Sequence, residues 1–211
     1  MTSTGPPPNA PIDVQAESRS ARKRGAILEA ATTLFLRNGY RGTSMDEIAA
    51  VAAVSKQTVY KHFADKEELL SVVAAGYFEL VGGMMEEASD AASDPFGRLE
   101  AVGEVYVRFA LANPHRCRLM FGPEVKGSPY PGVHDAAGAL HRRFVRIVAD
   151  CQEAGELPAG DPVEFAALIY ATTHGAVDLA MSGHDEEAKG LDDPLSLMRL
   201  LLAHLRAGRD R

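Results

Sequence analysis

The sequence is short of cysteine, of long apolar runs and of catalytic signatures, and each shortage removes a class of protein. Two cysteines, Cys117 and Cys151, in 211 residues close one bridge at most, too few for a disulfide framework, and nothing indicates an oxidising compartment. No stretch approaches the roughly 18 unbroken apolar residues of a membrane-spanning segment. The first twenty residues are polar and carry Pro6, Pro7, Pro8 and Pro11 where a signal peptide would carry an apolar core. A cytoplasmic protein with no membrane partner is expected. The Gly-x-Ser-x-Gly elbow, the phosphate loop and His-Glu-x-x-His are all missing, so neither an enzyme nor a cofactor is expected. Sustained alternation bounded by hairpin signals is missing too, which argues against a sheet.

What is present is enough to fold. The chain is 46% apolar and 24% charged, ordinary for one domain or two small ones. Its net charge of -7 is unevenly divided: residues 19–70 hold nine Lys or Arg against six Asp or Glu, a net of +3, while every other part is acidic. A basic segment on an acidic remainder suits a polyanion-binding head on a body that the same polyanion repels. Chance clustering on a solvated surface is the other reading of the charge alone.

Residues 1–18, with four prolines and little to bury, read as a flexible arm. Ile27, Leu28, Ala31, Leu34 and Phe35 then recur at helical spacing until Asn38-Gly39, predicting a first helix over about 21–38. Ser44 with Glu47 forms a capping box before Ile48 and Ala49. Ser55 is an N-cap for a third helix carrying Val59 and Phe63, and Asp65 with Glu68 opens a longer fourth. Breaks at Asp94-Pro95, Asn113-Pro114, Gly122 to Gly132, Gly155 to Pro162 and Gly183 to Pro194 divide the remainder into five further helices.

Two short helices separated by Ala52-Ala53-Val54 have the layout of a helix-turn-helix, whose second helix can enter the DNA major groove. Lys56, Gln57, Thr58, Tyr60, Lys61 and His62 are all potential donors on that second helix, while Val59 and Phe63 are left to pack inward. The run from Gly39 to Leu70 closely resembles the DNA-binding head of the TetR family of transcriptional regulators. Gly39-Tyr40, Thr43-Ser44, Ile48-Ala49, Val54-Ser55, Thr58, Tyr60, His62-Phe63 and Lys66 all fall at the family's spacing. The resemblance is strong over residues 20–70 and rests on helical plan elsewhere. Ala53 and Gln57 stand where the family often has glycine. Alanine at a left-handed position costs on the order of 1 kcal/mol, and glutamine adds a group able to pair adenine bidentately.

The resemblance implies an all-α fold of about nine helices: a three-helix helix-turn-helix head over 19–66 and a helical effector-binding and dimerisation body over 67–211. It implies DNA contact through Thr43, Ser44, Lys56, Gln57, Thr58, Tyr60, Lys61, His62 and Lys66. Of these, Thr43, Tyr60, His62 and Lys66 would hold phosphates, while Lys56, Gln57, Thr58 and Lys61 would face base edges or adjacent backbone. Arg22, Lys23 and Arg24, at the expected helix start, either meet phosphate or form a solvated face; cations there oppose the helix dipole.

In the body, Val163 to Met181 and the last helix carry more apolar side chains than one core-facing stripe uses, so a second buried face is expected. Phe165, Ile169, Thr172, Met198, Leu201 and Leu205 are candidates for a homodimer interface, and paired heads read a near-palindromic double-stranded operator. Tyr77, Phe109, Phe121, Phe144 and His174 either line a pocket for a small-molecule effector or are ordinary core. Thr172-Thr173-His174-Gly175 with Asp178 resembles a signature in the ligand-binding region of one branch of the family. His174 and Asp178, four apart, are two ligands and not a metal site, and a His–Asp hydrogen bond is expected. The implied function is a DNA-binding regulator, in this family most often a repressor, released when an effector shifts the spacing of its two heads. The other reading is a helical ligand-binding or enzyme domain with a purely structural helix-turn-helix.

Overall fold

The computed structural model describes residues 14–182, 190 and 192–208 and, for residues 14–17, the backbone alone. Among them the chain is all-helical: α1 (Val14–Asn38), α2 (Met45–Val51), α3 (Lys56–His62), α4 (Lys66–Asp90), α5 (Pro95–Ala112), α6 (Pro114–Phe121), α7 (Pro123–Lys126), α8 (Pro131–Glu153), α9 (Pro162–Met181) and α10 (Pro194–Ala207). The tenth segment beyond the expected nine is α7, a single turn inside the Gly122 to Gly132 break. Two compact units divide between Leu69 and Leu70.

The start of α1 differs from expectation. Of the arm expected over 1–18, residues 1–13 lie outside the described residues, and the rest belongs to the helix, which begins seven residues before position 21. No proline or glycine interrupts the sequence between Pro11 and Gly25, and the Arg22 guanidinium donates back to Ser18 Oγ at 3.0 Å. Arg22, Lys23 and Arg24 therefore lie inside the helix, and the dipole objection to them lapses.

Each later start has a local cause. Ser44 accepts from the Glu47 N–H at 3.2 Å while its own N–H donates to the Glu47 carboxylate at 2.8 Å. Ser55 caps α3 by accepting from the Thr58 N–H at 3.2 Å, and Asp65 caps α4 through the Glu68 N–H at 2.8 Å. From α5 to α10 every helix opens on proline, whose ring presets the dihedral and whose missing N–H would have had no helical partner. Gly39, at φ +74°, ends α1.

In the first unit, Ile27, Ala31, Leu34 and Phe35 of α1 close over Ile48, Val59 and Phe63, all buried. In the second, α5 packs on α8, α9 and α10, and α9 lies against both α8 and α10. α4 has the length and composition of a membrane span, yet Leu70, Ala74, Phe78 and Val81 are buried within the fold. That is how a core helix also scores.

Ala53 is the one described non-glycine residue with positive φ, at +52°, as the glycine usual at this turn position anticipates. A left-handed alanine is strained by about 1–2 kcal/mol, and glycine gives back roughly 0.5–1 kcal/mol through the entropy of the unfolded chain. Ala53→Gly is expected to stabilise the first unit by up to about 1 kcal/mol, read as a higher urea midpoint with unchanged slope.

Candidate nucleic-acid interface and ligand cavity

α3 presents two faces. Val59 and the Phe63 that ends it are 0% and 1% exposed, four apart and so on one side. Gln57, Tyr60 and Lys61 are exposed on the other, with no side-chain hydrogen bond among the described residues. His62 is half-buried. Lys56 is exposed but paired with Asp46 of α2 at 2.8 Å, and the carboxylate raises the pKa of its ammonium. Ser44 and Thr58 are committed to capping: Ser44 to Glu47, and the Thr58 hydroxyl to Ser55 Oγ at 2.8 Å.

Two expected phosphate ligands are placed otherwise. Thr43 is 2% exposed, and its hydroxyl donates to the Gly39 carbonyl at 2.9 Å. The Lys66 ammonium donates to the carbonyls of Tyr40 at 2.8 Å and Thr43 at 2.7 Å and sits 4.3 Å from the Tyr40 ring centroid. Both are internal struts: Thr43 braces the turn between α1 and α2 from within, and Lys66 ties the start of α4 to it. A threonine and a lysine in a basic segment look like phosphate ligands because sequence shows residue type and not where the side chain turns. Arg24 lies over the Phe63 ring at 5.0 Å, a packing role on the same core.

The second unit encloses a cavity of about 420 Å³, within the range of small-molecule sites. Phe109, Phe121 and Phe144 line it. Tyr77 does not: its ring is covered by the Arg116 guanidinium at 5.4 Å, and burial raises its pKa against the opposing pull of that cation. His174 stands one shell back from the lining residues. It stacks on Tyr170 at 5.2 Å, meets Phe121 edge-on at 4.8 Å, and its Nδ1 is hydrogen-bonded to the Tyr106 hydroxyl. The expected bond to Asp178 is not among those formed. Burial depresses the His174 pKa, with Asp178 pulling the other way, so the ring is neutral near pH 7. Burial also raises the Tyr106 phenol far above its ordinary value. Tyr106, Lys126, Thr173, His134 and His141 also border the cavity. Of these the sequence offered a hint only for Thr173, through the Thr-Thr-His-Gly run.

Two expected interface residues face inward. Ile169 and Met198 are 3% and 2% exposed, and both line the cavity. An apolar surplus shows that a helix has two covered faces but does not assign each residue to one. Thr172 is exposed, Leu201 and Leu205 are half-buried, and the half-buried Phe165 ring lies against Gly160 so closely that a Cβ there would come within 2.9 Å. The outward apolar row is instead Leu168 and Leu179 on α9 and Leu200 on α10, 49%, 43% and 55% exposed.

The same division is found in known proteins. Residues 27–73 match the family described as bacterial regulatory proteins, tetR family, and residues 99–205 match the tetracyclin repressor-like C-terminal domain. The chain belongs to the TetR family. It is 30% identical to the HTH-type transcriptional repressor SCO4008 of Streptomyces coelicolor, across 82% of this chain and 90% of that protein. It is 38% identical to the HTH-type transcriptional activator FasR of Mycolicibacterium smegmatis across 47% of this chain, and so spans less than half of that relative, 45%. A solved structure of a protein of unknown function from Rhodococcus sp. RHA1 superposes with a TM-score of 0.75 at 30% identity, covering 88% of this chain and 94% of that one.

Removing the Lys66 strut leaves two carbonyls without their charged donor. Lys66→Met is expected to cost the first unit about 2 kcal/mol, whereas Lys61→Met, on the open face of α3, stays within about 0.5 kcal/mol. Urea unfolding of the two variants checks the difference.

Proposed function

We propose that the protein is a homodimeric transcriptional regulator that binds a near-palindromic operator through α3 and is released from it by a small molecule held in the cavity. The observation that carries this reading is the open donor face of α3: Gln57, Tyr60 and Lys61 exposed and unpaired while Val59 and Phe63 are buried. A helix that only filled space would have no use for such a face. Gln57 is assigned to a base edge, Tyr60, Lys61 and His62 to phosphates, and Lys56 to a phosphate gained at the expense of Asp46. Repression is preferred over activation because the repressor SCO4008 matches across most of both chains while the activator FasR matches across less than half. Such a protein works beside DNA in the cytoplasm and needs no catalytic group.

The dimer is assigned to the outward faces of α9 and α10. Leu168, Thr172 and Leu179 share one exposed face of α9, and Leu200 is exposed on α10. Exposed leucines grouped this way mark a surface meant to be covered. Release follows as a population shift: an effector that favours the DNA-free geometry of the dimer lowers operator affinity by the same coupling, typically about 1–3 kcal/mol.

Fluorescence anisotropy on the DNA upstream of its own coding region, with scrambled competitor and a salt series, tests the head. Wild type is expected to bind with log K falling linearly in log salt, Lys61→Ala to lose affinity on every sequence with a slope smaller by about one, and Gln57→Ala to change the preferred sequence. A folded dimer that binds no DNA at low salt would leave the helix-turn-helix a structural motif. For the interface, Leu168→Glu with Leu200→Glu is expected to convert the dimer to a folded monomer in light-scattering chromatography.

A further inference from the structure

Thr173 borders the cavity from the inner face of α9 and is 5% exposed. Its Oγ1 is the buried side-chain oxygen or nitrogen that has no hydrogen-bond partner among the described residues. A helical threonine has a ready remedy, donation to the carbonyl one turn back. Thr33 takes it, donating to the Glu29 carbonyl at 2.9 Å. Thr173 does not, and a hydroxyl left unsatisfied in an apolar cavity lowers stability unless something enters to pair with it.

The remaining polar groups are distributed by depth. Lys126, His134 and His141 border the cavity and are exposed, so they stand where it opens to solvent. Among the described residues no aspartate or glutamate borders it, although the chain has 29 acidic against 22 basic side chains. The His134 ring is engaged with the Ser128 carbonyl at 2.8 Å and Tyr106 with His174. Lys126 has no ion pair among the described residues. Among the described residues the cavity thus has largely apolar walls, a buried unsatisfied hydroxyl at Thr173, and the unpaired ammonium of Lys126 at its rim, with Tyr170 and His141 also bordering it. Met85, Met120 and Met198 among the walls adapt to an irregular skeleton.

We infer that the ligand is an amphiphilic monocarboxylic acid: an apolar skeleton with a hydroxyl or keto oxygen along its length and a carboxylate at one end. The internal oxygen pairs with Thr173 Oγ1, and the carboxylate pairs with Lys126. A single ammonium matches one carboxylate charge, whereas a phosphate ester carries more charge and more acceptors than this rim answers. This rests on reading the cavity as the effector site.

Isothermal titration calorimetry on the full chain tests it with dodecanoic acid, its methyl ester, and hydroxydodecanoic acids that differ in hydroxyl position. The acid is expected to bind about fivefold tighter than the ester, and at least one hydroxy isomer about fivefold tighter than the plain acid. Lys126→Gln should abolish the first difference. Thr173→Val should abolish the second while leaving dodecanoic acid binding unchanged. Without ligand, Thr173→Val should also raise Tm, because a methyl replaces the unsatisfied hydroxyl. Equal binding of acid and ester would overturn the carboxylate assignment. A hydroxy preference absent from wild type, or one that survives Thr173→Val, would overturn the role of Thr173. Ligand binding that leaves operator affinity unchanged would refute release and not the ligand class, while operator binding by a protein that takes none of these acids would refute the ligand class alone.

Discussion

Helix α9 has to be covered on two sides, and most of the second unit follows from that. Ala166, Ile169, Thr173, Ala176 and Val177 form its buried stripe. Leu168, Thr172 and Leu179 lie about 110° around the helix from the centre of that stripe, at roughly 100° per residue, and are exposed. The inner stripe closes on α5, α8 and α10 and borders the cavity. The outer row has only solvent in a single chain. On the proposed reading, one helix of twenty residues carries a ligand-facing surface and a partner-facing surface about a third of a turn apart. Were the outer row the dimer surface proposed above, a displacement of Ile169 or Thr173 would reach it through the body of one helix rather than through a chain of side chains.

The first unit depends on backbone groups being answered locally. Three helices are fitted into 49 residues between Val14 and His62, and two of them are seven residues long, far too short to stand alone. Ser44, Ser55 and Asp65 answer the free N–H groups at the starts of α2, α3 and α4. Lys66 answers the carbonyls of the turn before α2. The consequence is that side chains which look like ligands for an external phosphate are consumed internally, and the donors left for DNA are fewer and more concentrated on α3 than the sequence suggests.

How much was legible varies with the range of the cause. Element starts were readable because capping boxes and Asp-Pro or Asn-Pro pairs act within four residues. The left-handed turn at Ala53 was readable from the glycine that commonly occupies its place. The start of α1 was misplaced because prolines before residue 12 suggested an arm that the intervening Val-Gln-Ala-Glu-Ser run does not continue. Ile169 and Met198 were assigned to the wrong face, since an apolar surplus gives the number of covered faces and not their membership. Lys66 and Tyr77 depend on where a side chain meets groups as far as 39 positions away, as Tyr77 meets Arg116, whereas Thr43 turns only to the Gly39 carbonyl four residues back. Composition contains no trace of that. The rim of the cavity, drawn from α7 and α8, was illegible for the same reason.

The ion pair between Lys56 and Asp46 gives the recognition helix a competitor of its own. In free protein the ammonium already has an anion at 2.8 Å, so contact with a nucleic acid exchanges one anion for another instead of neutralising a bare charge. An exposed pair of this kind is worth about 0–1 kcal/mol, so the exchange is nearly level. A polyanion that merely passes by gains little from Lys56, and only one whose phosphate is placed better than Asp46 displaces it. If Lys56 makes the proposed phosphate contact, the carboxylate acts as a filter on geometry, lowering affinity for every duplex slightly and for poorly fitting ones most.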